Sequence, residues 1–265
     1  MAYEADCIHR LIDDEYCFTC HTANFTLKHY VDRYVFSEWK NRGHYLELDD
    51  FLEAASYEDL YESAKSDPED FLDFIEIAYN VYYMARVSFE ASDKTWKYYE
   101  AYELFPKIAD ECLAHFNHKV FYFSETEQAI VSEDNPAVTA VVEIEEDLDI
   151  AYEIVRYNHH ALKGDIASKK AILIKLGSQL EPLRPELSDR YKNLAADIFL
   201  VLNNLNIRHN NCVPGDAKFK PYVAAMTPDE LESWYDELYQ MILLAKLELD
   251  HINRMPQIDS LKQNL

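Results

Sequence analysis

Three times in this chain a small polar residue is followed by proline and then by residues that repeat at helical steps: Asp67-Pro68-Glu69-Asp70, Asn135-Pro136 and Thr227-Pro228-Asp229-Glu230. Proline suits the first turn of a helix, where its missing N–H would have no intrahelical partner, and the residue before it can cap the exposed backbone donors. In the third instance Glu230 stands three residues after Thr227, which completes a capping box. Apolar residues then recur at three- and four-residue steps: Leu231, Trp234, Tyr235, Leu238, Met241, Ile242, Ala245, Leu249 and Ile252. That stripe predicts a helix running to about Asn253, and the same pattern after Pro68 (Phe71, Phe74, Ile75, Ala78, Val81, Tyr82, Ala85) predicts another. Helical periodicity also covers residues 98–116, 146–162, 165–180 and 188–208. Lys119 to Phe123 and Gln128 to Ser132, on either side of Ser124-Glu125-Thr126-Glu127, instead read as a short β-hairpin near 119–132. The fold class is therefore mainly α, a helical bundle with one small β element.

Four glycines, none of them close together, exclude a dinucleotide fingerprint and a phosphate-cradling loop. No apolar run approaches the length needed to span a bilayer, so no membrane association is expected and a cytoplasmic protein is. A di-iron bundle needs paired Glu-x-x-His steps on different helices, and only Glu248-Leu249-Asp250-His251 supplies one.

The first twenty residues hold Cys7, His9, Cys17 and Cys20, two close pairs flanking a short loop, with His21 as a competing ligand. Four such donors suit a closed, structural zinc site, which would organise the N-terminus without catalysing anything. The alternative is that these are buried thiols packing as small hydrophobes. Cys112 and Cys212 are isolated, as expected in a reducing compartment.

Charge divides the chain. Residues 43–150 carry 27 acids against 6 bases, whereas residues 151–220 carry 11 bases against 7 acids, within a total of −24. RNA could be met only through residues 151–220, where Arg156, Lys163, Lys169, Lys170, Lys175, Arg184, Arg190, Lys192 and Arg208 lie with His159, His160 and His209. Two clusters there could carry chemistry. Arg156 and His160 are four apart at the end of an expected helix and would share a face. In Asn203-Asn204-Leu205-Asn206-Ile207-Arg208-His209-Asn210-Asn211, asparagines crowd a helix end, either as a functional cluster or as caps and turns leading to Pro214-Gly215.

Residues from about 150 to 253, with "ALKGDIASKKAILIKLGSQLEPLR", "LNNLNIRHNN" and "ELESWYDELYQMILLAKLELD", resemble the C-terminal helical domain of bacterial abortive-infection proteins, similar in style to the HEPN superfamily. The resemblance implies a helical bundle that often dimerises, a role in antiviral defence with a protein partner, and, in active members, metal-independent RNA cleavage through an Arg-polar-x-x-x-His motif. Here Arg208 is followed directly by His209. In such a ribonuclease His209 would handle the proton and Arg208 would offset charge on the phosphate, with Arg156, His160 and Asn204 supporting them. The rival expectation is a non-enzymatic, acidic interaction or regulatory protein that binds a basic partner. The domain organisation expected is a zinc-binding segment over 1–45, an acidic helical region over 46–145 and the HEPN-like bundle over 146–265.

Overall fold

The computed structural model describes residues 1–91 and 96–265 and divides into two compact units, Met1–Asp134 and Asn135–Leu265. Three regions were expected. The first two merge because residues 1–45 and 46–134 feed one core, in which Ile8, Phe18 and Tyr30 lie in the same cluster as Phe71, Phe74 and Phe105.

The first unit runs α1 (Ala2–Asp13), β1 (Tyr16–Cys20), β2 (Ala23–Thr26), α2 (Leu27–Tyr34), a short 3-10 turn (Phe36–Glu38), α3 (Leu48–Ala54), α4 (Tyr57–Ala64), α5 (Pro68–Ala91), β3 (Trp96–Tyr98), α6 (Glu100–His115), β4 (His118–Phe123) and β5 (Gln128–Glu133). The long α5 starts at the proline signal, with the Asp67 carboxylate accepting from the Glu69 and Asp70 N–H groups at 2.9 and 3.1 Å. It buries Phe71, Phe74, Ile75, Ala78, Tyr79, Tyr82 and Ala85, and packs against α1, α2, α4, α6 and β5. Aromatic rings dominate this core, which accounts for Tyr79, Tyr82, Tyr83 and Tyr102.

The hairpin expected near 119–132 is present as β4 and β5, paired antiparallel from His118↔Glu133 to Phe123↔Gln128. Helix α5 seals the outer edge of β5: the Asn80 amide donates to Ala129 O at 2.8 Å and accepts from Ala129 N at 3.0 Å, while Val131 N donates to Glu76 at 2.7 Å. Those contacts satisfy backbone groups that would otherwise template another strand. A second sheet, of order β2-β1-β3, was not expected from the sequence. Its β1 and β2 contain the stretch expected to wrap zinc, and β3 joins from far along the chain.

The second unit runs α7 (Pro136–Ile144), α8 (Leu148–Tyr157), a 3-10 turn (His160–Leu162), α9 (Ile166–Leu180), α10 (Arg184–Arg190), α11 (Lys192–Asn204), α12 (Pro221–Ala224) and α13 (Pro228–Asn264). Asn135, Asp147, Asp165 and Thr227 cap α7, α8, α9 and α13 through their side chains, and the capping box at Thr227 and Glu230 forms in full. Helix α13 is the axis of this bundle and touches α7, α9, α10 and α11. Its buried residues end at Leu249, although the helix itself extends past the expected end at Asn253 to Asn264. Among the described residues no helix is long and apolar enough to cross a membrane.

Two lysines lie inside the second unit. Lys169, 7% exposed, meets Glu232 at 2.7 Å and Asp236 at 2.8 Å, and the Tyr157 hydroxyl also donates to Asp236 at 2.9 Å. Lys246, 9% exposed, donates to the Glu145 carboxylate and to Gln179 Oε1, while Gln179 Nε2 closes the triangle onto Glu145 at 3.2 Å. Burial of charge is tolerated here because each ammonium has a counter-ion and each carboxylate further donors.

Candidate functional site

The four expected zinc ligands are not gathered. Cys7 and His9 both belong to α1, whose residues Ala5, Ile8, Leu11 and Ile12 form its buried stripe. Two helical positions at ~100° per residue point Cys7 and His9 to nearly opposite sides. The His9 ring stacks on Tyr61, with centroids 4.1 Å apart, and its Nε2 lies 3.7 Å from both Asp13 and Glu58. Cys17 is fully buried in β1, its thiol donates to Leu11 O at 3.6 Å, and burial pushes it up to about 12. Cys20 ends β1, and His21 follows it in the hairpin turn with φ 54°. Among the described residues no three of Cys7, His9, Cys17 and Cys20 bring their ligand atoms within 4.8 Å of one another. Zinc held by these four residues is therefore expected well below one ion per molecule by elemental analysis. A stoichiometric ion released by a thiol reagent would contradict this placement.

Several of the cations expected to meet RNA are engaged within their own unit, among them Arg156, Lys169, Lys175 and Arg208. Helix α8 ends at Tyr157, with the Asn158 N–H returning to Val155 O and Arg156 O, so Arg156 and His160 do not share a helical face as expected. Arg156 lies 3.6 Å from Glu153, which Lys175 also approaches at 3.2 Å, and the His160 ring stacks on His159 at 4.3 Å. Helix α11 ends at Asn204, before both Arg208 and His209. The Arg208 guanidinium pairs with Glu181, donates to Gly177 O at 2.7 Å and stands over the Phe199 ring at 5.5 Å. It fastens the chain leaving α11 to the end of α9. Gly177 makes room for this: a Cβ there would lie 2.8 Å from a Leu202 methyl and 3.4 Å from the guanidinium.

The asparagine cluster is an organised turn. Asn204 donates back to Leu200 O at 2.8 Å, Asn206 adopts φ 57°, and the fully buried Asn211 side chain accepts from Asn206 N at 2.8 Å and donates to Lys218 O at 2.7 Å. Of the two expectations for these residues, the geometry matches caps and turns. His209 is half-buried and its imidazole makes no hydrogen bond among the described residues. Removing the Arg208 clamp, as in Arg208→Met, is expected to destabilise the second unit by about 1–3 kcal/mol, because Glu181 and the Gly177 carbonyl lose a charged donor. Thermal unfolding measures it, and an unchanged transition would contradict the clamp.

A long run of unbalanced charge lies in the first unit. Residues 1–134 carry 29 acids against 11 bases. Within residues 47–70 there are ten acids, nine of them exposed, and one base, Lys65. Lys65 is already engaged by Glu62 at 2.8 Å and by Asp6 at 3.6 Å. Helices α3 and α4 explain the exposure: Leu48, Leu52, Tyr57 and Ala64 face the core, so the carboxylates between them face water. The two helices meet at Ser56, in the left-handed region at φ 55°, and enclose an open groove of about 270 Å³. Asp49, Glu53, Glu58 and Asp59 line it, with Lys28 at one side bridging Asp49 at 3.0 Å and Asp13 at 3.3 Å. Sequence reasoning found the acidic excess but missed this groove, although the spacing of Leu48 and Leu52 among acids was a signal of a short amphipathic helix.

Comparison with family models, with characterised proteins and with solved structures found no match for this chain.

Proposed function

We propose that this chain is a non-enzymatic interaction protein that recognises a lysine- and arginine-rich segment of another protein through the acidic face of α3 and α4. The observation that carries this reading is the run of exposed carboxylates over residues 47–70, whose single lysine is already neutralised by neighbours. Self-repulsion among uncompensated carboxylates costs stability, and a cationic partner relieves it while gaining steered association. The groove adds shape to charge, since its four carboxylates surround a space that accepts one basic side chain at a time. The alternative, RNA cleavage by the second unit, loses support because the Arg208 guanidinium is engaged by Glu181 and by Gly177 O.

Calorimetric titration of the whole chain with a lysine- and arginine-rich peptide tests the proposal, with labelled RNA incubated in parallel. Binding that weakens steeply with salt, together with intact RNA, is the expected result. No binding at low salt would overturn the proposal. RNA cleavage abolished by His209→Ala would also overturn it and move the function to the second unit.

A further inference from the structure

The first unit holds another cavity, away from the α3–α4 groove and independent of it. We propose that this cavity, where α2 and α5 meet the turn between β4 and β5, is a binding site for a quaternary or alkylated ammonium group. Its volume is about 240 Å³, below the ~300–1,000 Å³ of sites for drug-sized ligands, so it fits a head group. Tyr34, Trp39 and Tyr83 supply three aromatic walls, and Glu38 and Glu127 supply two carboxylates. Aromatic rings carry negative faces, and rings together with carboxylates favour a weakly hydrated cation over either an anion or a neutral molecule. An anion would meet two like charges, and a neutral ligand would strip water from both without compensation.

The walls are built before any ligand arrives. Trp39 and Tyr83 are buried, and Trp39 Nε1 donates to Glu127 O at 2.9 Å. The next two residues grip the same turn, Lys40 through Glu125 O at 3.1 Å and Asn41 through Thr126 O. Glu127 itself sits at φ 53°, a conformation that favours glycine or asparagine, and its side chain nevertheless lines the cavity. Among the described residues no lysine or arginine lines the space. Lys40 approaches Glu127 only from outside, at 3.5 Å and 60% exposed, so it is a weak competitor that a better-placed cation displaces.

Calorimetric titration with choline, with its neutral carbon analogue and with the amide of acetylated trimethyl-lysine tests the site, while the Trp39 indole N–H resonance locates the binding. Choline or trimethyl-lysine should bind and shift that resonance, and the neutral analogue should not. Tighter binding of trimethyl-lysine would identify a modified protein side chain as the source, and tighter binding of choline a free small cation. Glu127→Gln and Tyr34→Leu should each weaken binding by about tenfold, with Glu38→Gln as a second charge variant that leaves the Trp39 contact intact. Equal binding of the neutral analogue, no binding of either cation, or full affinity in Glu127→Gln and Glu38→Gln would overturn the proposal. Because none of the three variants lies in α3 or α4, failure here leaves binding of a basic peptide to that face as a separate result.

Discussion

Lys246→Met should lower the stability of the second unit by about 3–5 kcal/mol, a larger effect than loss of most apolar contacts of that size. Among the described residues the Lys246 ammonium is the only cation on Glu145, which is itself 10% exposed, and methionine would leave that carboxylate buried without a counter-charge. Gln179 Nε2 at 3.2 Å and the Asp147 N–H at 3.1 Å would remain, neutral donors too weak to replace an ammonium. Replacing the group together, Lys246→Met with Glu145→Leu and Gln179→Leu, should recover most of the loss, because the desolvation cost disappears with the charges. Urea denaturation with hydrogen exchange followed in α9 and α13 measures both variants. A loss below about 1 kcal/mol in the single variant would mean that Glu145 reaches water after all.

The other buried lysine gives the sign of a pH effect. Burial pushes the Glu232 carboxyl up, but the Lys169 ammonium and the Gly164 N–H overcome it and hold the group below its ordinary 4.5. A carboxyl depressed in the folded state contributes stability that is complete above its unfolded value and is lost as pH falls through the folded one. The stability difference between the native chain and Lys169→Met should therefore shrink as pH falls below that ordinary value. Denaturation curves at stepped pH measure it, and a difference that grows on acidification would reverse the assignment.

The second large effect concerns binding. Asp49→Lys, Glu53→Lys and Asp59→Lys together should weaken association with a lysine- and arginine-rich peptide by about 100-fold, equivalent to ~2.8 kcal/mol. All three carboxylates line the α3–α4 groove, and reversal converts attraction into repulsion at each. Asp49 and Asp59 also lie in the first turns of α3 and α4, where lysine opposes the helix dipole, so thermal unfolding must show that the variant remains folded.

How much of this was legible beforehand follows from the range of each signal. Helix starts are local: Asp67, Asn135 and Thr227 act within one turn, so α5, α7 and α13 could be placed from sequence, as could the β4–β5 hairpin around its four-residue turn. In the N-terminal segment cysteine spacing was the louder signal, and it carried no information about the quieter stripe Ala5, Ile8, Leu11 and Ile12, which makes α1 a helix and separates Cys7 from His9. The three-stranded sheet could not be anticipated, since β1 pairs with β3 through a partner some eighty residues away. Arg208 and His209 stood out by composition, yet what Arg208 does depends on Gly177 and Glu181 on another element, and adjacency in sequence carries no information about that. The acidic groove needed α3 and α4 folded against one another before its charges became a shape.

The most direct test sets the groove variant beside a control of identical net charge, Glu100→Lys with Glu103→Lys and Glu111→Lys, three exposed acids of α6. Affinity for the same basic peptide, measured by calorimetry at physiological salt, should fall about 100-fold for the groove variant and only severalfold for the control. Equal losses in the two would show that net charge alone attracts the peptide and that the α3–α4 face recognises nothing.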